Sequence, residues 1–146
     1  MNSNNISIGN SGEYFVAGEL ERQGFTVAVP MSNTQNFDIL AINRVSNKQY
    51  AIQVKTTKYK KKKWLLGKKN ETLVDDNIFY IFVALNDLDI PQYHIVSSRV
   101  VSKTIIKNHK EWLNAVGKHG QKHNDNNLRY FEDKEDLYLN RWDYLK

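Results

Sequence analysis

Three residues near the middle of the chain have types and spacing suited to chemistry: Asp38, Gln53 and Lys55. The stretch 36–57, NFDILAINRVSNKQYAIQVKTT, reads as two short strands joined by a polar turn. Side chains on a strand alternate faces, so Gln53 and Lys55 point one way and Tyr50, Ile52 and Val54 the other. Asp38 opens the first strand. A lysine facing an acid and an amide at the end of a hairpin is an unusual use of a half-buried strand. The end of this hairpin is therefore the candidate site. A strand-start aspartate that bonds loop backbone, a half-buried glutamine and a snorkelling lysine form the plainer alternative.

The elements that must position these residues follow from the pattern along the chain. Residues 1–9 are polar and expected to fray. A helix is predicted from Asn10 or Ser11 to about Gln23, with Gly24 as its stop. Glu13, Val16, Ala17 and Leu20 share one face, so Glu13 is the acid that continues the apolar stripe. Asn10 and Glu13 also have capping-box spacing, which gives Glu13 an alternative structural role. Strands are predicted at 25–30, 37–43 and 49–57, with a polar loop at 31–36 and a turn at 44–48. Residues 64–66 suit a short strand or an anchored loop. IFYIFVAL at 78–85 should be a central strand buried on both faces. A further strand is expected at 93–96 and a helix from Ser97 or Ser98 to about Ile106. A second capping-box pattern at Asn108 and Glu111 follows, then a loop at 118–127 and a final helix at about 134–144. The order points to an α/β sheet domain.

Charge is unevenly placed. The formal net charge is +5, yet the nine lysines at 48, 55, 58, 60, 61, 62, 63, 68 and 69 lie in a stretch with no acid. Lys58, Lys60, Lys61, Lys62 and Lys63, followed at once by Trp64, interleave basic and aromatic character as nucleic-acid contacts do. A solvated lysine-rich loop is the alternative. His119 and His123 are four apart, but a glycine- and asparagine-rich loop without a partnering motif favours surface residues. His94 and His109 suit structural roles.

Other function classes are set aside by composition. The 146 residues suit one domain spanning 1–146, and with no cysteine there are no disulfides or thiolate metal sites. No apolar run is long enough for a membrane span, and the N-terminus lacks the regions of a signal peptide, so a cytoplasmic location is expected.

The GE pair in the first helix, FDIL on the second strand and QVK on the third resemble the PD-(D/E)XK nuclease superfamily, most strongly over 12–57 and loosely through 96. The resemblance implies a restriction-endonuclease-like αβββαβ core, a central mixed sheet of four to five strands flanked by helices. It implies that Asp38 is the first metal-binding acid, Gln53 stands at the (D/E) position, Lys55 is the lysine and Glu13 the helix glutamate. Phe37 replaces the proline of the motif, and Gln53 replaces an acid, which removes a negative charge from the metal site.

A metal-dependent endonuclease acting on DNA rather than RNA is then expected, in defence, repair or mobile-element processing. Mg²⁺ or Mn²⁺ would be held by Asp38, Glu13, the Gln53 amide oxygen and the Val54 carbonyl. A nuclease-fold module with weak or absent catalysis, binding nucleic acid or a protein, is the alternative. A third reading has the aromatic and acidic C-terminal segment docking a partner or a second copy as a homodimer.

Overall fold

The computed structural model describes residues 4–31 and 37–146; the predicted loop at 31–36 and the first residues of the polar N-terminus lie largely outside them. The first helix, α1 (Asn5–Arg22), begins earlier than its pattern suggests. The Asn4 side chain caps it by accepting from the Ser7 N–H at 2.7 Å. The helix is therefore already under way at Asn10, so the Asn10–Glu13 capping box is not used. Glu13 is left available for another role.

α1 packs Val16 and Leu20 onto one face of a five-stranded sheet. The strands are β1 (Phe25–Ala28), β2 (Ile39–Asn43), β3 (Gln49–Thr57), then β5 (Ile78–Ala84) and β6 (Gln92–Ser97). Their spatial order is β1-β2-β3-β5-β6. The β3–β5 pair is parallel and the others antiparallel, so the sheet is mixed. β4 (Lys63–Gly67) leaves this sheet and pairs with β7 (Leu128–Glu132). A one-turn 3-10 helix, Lys68–Glu71, follows β4. The crossover from β3 to its parallel neighbour is thus made by β4 and this turn, where the resemblance implied an α-helix.

β5 lies between two cores, as its continuous apolar run predicts. Phe79, Ile81 and Val83 face the core under α1, with Ile39, Ile52 and Ile95. Tyr80, Phe82 and Ala84 face a second core, with Trp64, Leu66, Phe131 and the buried side of α2 (Ser98–Asn114). The Ser97 side chain caps α2. That helix runs without a break through Asn108, because nothing between 106 and 111 interrupts it.

The predicted helix at 134–144 is not formed. β7 and a 3-10 turn, Trp142–Leu145, flank an irregular segment. Asp136 and Asn140 have φ of 55° and 54°, which an α-helix does not accommodate. The Asp133 carboxylate accepts the N–H groups of Leu137 and Tyr138, bonds a helix would have spent differently. Ile95 donates to the Tyr138 carbonyl and Asn140 to the Tyr93 carbonyl, so the segment lies along β6. Trp142 and Leu145 do enter a core, which is why their spacing imitated a helix face.

Candidate active-site cleft

The β2–β3 ladder ends where the candidate residues begin. Ile39 pairs with Ile52, and one step further sets Asp38 opposite Gln53. The Asp38 N–H donates to the Ile52 carbonyl at 2.8 Å, and its carboxylate accepts the Val54 N–H at 2.8 Å. The carboxylate thus takes the place a further strand residue would occupy. This fixes its position at the open edge of β3. In a strand, N–H and C=O of one residue leave on the same edge, so the Val54 carbonyl emerges beside Asp38.

Glu13 comes from α1, which covers one face of the sheet. Its position depends on a close approach one residue earlier. Gly12 is buried against Thr56 of β3, and a Cβ there would lie 1.8 Å from Thr56 Oγ1 and 2.8 Å from Thr56 Cβ. Only glycine permits this contact. Glu13, Phe37, Asp38, Gln53, Val54 and Lys55 line one cleft of about 680 Å³, whose far wall is Lys69, Asn70, Thr72 and Leu73. The predicted quartet is therefore gathered in one place. Lys69 and Asn70 were missed, since nothing in the lysine run distinguishes Lys69 from its neighbours. Asn70 is buried, holding the Gly67 N–H and the Tyr80 hydroxyl, which stiffens that wall.

The charges in the cleft act on one another. Burial, then the nearby Asp38 carboxylate, pushes the Glu13 carboxyl above the usual range. Burial pushes the Lys55 ammonium below its usual range; Asp38 opposes this and Lys69 adds to it. Two carboxylates that repel each other's charge, beside an amide, form an oxygen set that suits a hard cation. The sign of the pH effect follows. A carboxyl whose pKa is raised on folding binds more protons in the native state, so stability falls as pH rises from 4.5 through the raised value. Glu13→Gln is expected to flatten the melting temperature against pH across that window and to raise it near neutrality.

The lysine run is divided by the fold. Lys62 pairs with Asp136 at 2.6 Å, and Lys63 approaches Glu132 at 3.6 Å while lying over the Tyr130 ring. Lys60 is exposed, 3.8 Å from Asp89, and Lys58 lies over Tyr59. Lys61 is exposed. Trp64 is 2% exposed, donates its indole N–H to the Val83 carbonyl and packs on Phe82 and His94. It cannot stack on a nucleic-acid base, because β4 turns its alternate side chains, Trp64 and Leu66, into the second core.

The whole backbone resembles that of an endonuclease. The solved structure is that of a bacterial homing endonuclease, I-Ssp6803I, with a TM-score of 0.59 over 99% of this chain and 92% of that one. At 12% identity the likeness concerns the fold alone. No family model matches the chain, and no curated protein sequence matches it.

A second group of donors lies elsewhere. His94, Asp133 and Asp136 bring ligand atoms within 4.8 Å of one another. Their bonds are largely internal: His94 Nδ1 meets Asp133 at 2.7 Å, Asp133 holds two backbone N–H groups, and Asp136 takes Lys62. Lys62 balances the Asp136 charge, and the Asp133 bonds secure the 133–138 segment; His94 Nε2 and Asp136 Oδ1 are buried without a hydrogen-bond partner among the described residues. His119 and His123 do not form a metal pair. His123 bonds the Trp112 carbonyl and stacks on the Trp112 ring. No described helix is long and apolar enough to cross a membrane.

Proposed function

We propose that this chain is a metal-dependent endonuclease that hydrolyses DNA phosphodiester bonds in the Glu13–Asp38–Gln53–Lys55 cleft. The observation that carries this reading is the convergence of two mutually repelling carboxylates, an amide and a half-buried lysine at the open edge of β3. A fold similar to that of an endonuclease adds support. Asp38, Glu13, the Gln53 amide oxygen and the Val54 carbonyl would hold Mg²⁺ or Mn²⁺. Bound there, the ion supplies charge neutralisation at the phosphate and a more acidic water.

The chain's own residues do the rest. Asp38, clamped by the Val54 N–H, keeps one oxygen directed at the cleft. Lys55 stands on the same strand face as Gln53, where it can stabilise negative charge on the phosphate. Its lowered pKa also eases proton exchange with water. Lys69 on the facing wall adds a second cation for the DNA backbone. Defence, repair and mobile-element processing remain the settings in which such an activity would serve.

The test is plasmid cleavage with Mg²⁺ or Mn²⁺. Asp38→Ala is expected to lose cleavage to background and also to lose the rise in melting temperature that Mn²⁺ gives the wild type. Equal cleavage by wild type, Asp38→Ala and Lys55→Ala would refute the site. One observation favours a second reading, a nuclease-fold module with little catalysis: the amide at position 53 lacks the charge of an acid. Activity that emerges only in Gln53→Glu would support that reading over the first.

A further inference from the structure

We propose that the outer face of α2 is a second DNA-contact surface, a track for the sugar-phosphate backbone leading away from the cleft; it rests on the nuclease reading. Arg99, Lys103, Lys107 and Lys110 are spaced four, four and three residues apart. On an α-helix they fall within an arc of about 80° and span about 16 Å along the axis. The opposite side of the helix carries the buried Val101, Ser102 and Ile105. From Arg99 to Lys122 there are six basic residues, at 99, 103, 107, 110, 118 and 122, against one acid, Glu111.

The exposed lysines of this stripe are weakly engaged. Lys107 stands 3.9 Å from Glu111 and Arg99 3.1 Å from Asp76, both pairs largely exposed. Among the described residues, no carboxylate lies within ion-pair distance of Lys103, Lys110, Lys118 or Lys122. Lys62 and Lys63, by contrast, are spent on Asp136 and Glu132. The α2 stripe therefore adds positive surface to what Lys60 and Lys61, both exposed, offer in the run at 60–63.

The track is mechanically tied to the cleft. The Ser102 hydroxyl donates to the Glu71 carbonyl, at the end of the 3-10 turn that carries Lys68 and Lys69. Ser98 holds Asp75 by two bonds, its hydroxyl donating to the Asp75 carbonyl and accepting the Asp75 N–H. Segment 71–75 thus joins the cleft wall, Lys69 to Leu73, to the first turn of α2. On this proposal, a duplex that enters the cleft past Lys69 and continues over α2 would meet cations carried on a helix rather than on a loop. A neutralised phosphate releases a counterion, so such a row gives affinity without base sequence.

The experiment measures the dissociation constant for duplex DNA against salt concentration, with metal chelated so that binding is read apart from cleavage. A triple variant, Lys103→Gln, Lys107→Gln and Lys110→Gln, is compared with Lys48→Gln, Lys134→Gln and Lys146→Gln, which removes the same net charge from other faces. All six lysines are exposed, so both variants should fold. The α2 variant is expected to bind about tenfold or more weakly at low salt, with a salt slope shallower by about 0.9 for each phosphate it no longer neutralises. The control variant should keep the slope of the wild type. Equal slopes for the two variants would overturn the track while leaving the cleft reading intact. Wild-type protein without salt-sensitive DNA binding would overturn both. Binding that depends on α2 in a protein that cleaves nothing would sustain the track and remove the catalytic reading.

Discussion

Lys55→Met is expected to reduce DNA cleavage by at least about 100-fold, within the range that positioned charge and proton-transfer groups contribute, while raising the melting temperature. The two effects have one cause. Lys55 is half-buried, and burial is the main reason its ammonium is easier to deprotonate than usual. A lysine whose pKa is lowered on folding binds fewer protons in the native state, so it costs stability at every pH below its folded value. That cost disappears only as pH rises toward 10.5. Methionine matches the length of the aliphatic stem and carries no charge to desolvate. A gain of about 1 kcal/mol is typical when a strained functional group is replaced in this way. The gain should shrink with rising pH. A Lys55→Met protein that melted lower than wild type would mean that the Asp38 attraction outweighs burial.

Gly12→Ala is expected to lose both stability and cleavage, the first by about 1–3 kcal/mol, as overpacking of a tight contact does. The added methyl would meet the Thr56 hydroxyl at 1.8 Å and Thr56 Cβ at 2.8 Å, so α1 must move off β3. Glu13, the next residue, moves with it. Thr56→Ala removes the Oγ1 and Cγ2 clashes and leaves the 2.8 Å approach of Cβ, which a smaller shift of α1 must still relieve. It also removes a buried hydroxyl without a hydrogen-bond partner among the described residues. The double variant should therefore recover much of the stability and part of the cleavage. Chemical denaturation and plasmid nicking on the four proteins give the comparison. If Gly12→Ala alone lost stability but kept full cleavage, Glu13 would not belong to the site.

Strand β3 was legible to the residue, because Gln49 to Thr57 alternates faces and is bounded by turn residues. Its pairing with β2 follows from the intervening turn. The meeting of Asp38 with Gln53 was legible from those two facts together, since antiparallel register brings them opposite. The contribution of Lys69 was not. Lys69 enters the cleft because β4 leaves the main sheet to pair with β7, a strand more than sixty residues away in sequence. Local periodicity carries no information about such a partner.

The same long-range pairing explains two departures from expectation. Trp64 follows four lysines and looks like a base platform, but pairing with Phe131 turns it inward. Residues 134–144 have helical spacing of apolar groups, but Asp133 gives its carboxylate to their backbone and to His94. In each case a tertiary partner outweighed a local preference. The early start of α1 is different: Asn4 was a legible cap, obscured by the polarity of the residues around it.

The cleft at the end of β2 is a pair of carboxylates, an amide and a lysine held by backbone geometry rather than by loops. A crystal soaked in Mn²⁺ and examined at the manganese absorption edge is the most direct test of its role. Anomalous density is expected between Asp38 and Gln53, within ligand distance of Glu13. Density at His94, Asp133 and Asp136 instead, or none in the cleft, would contradict the account.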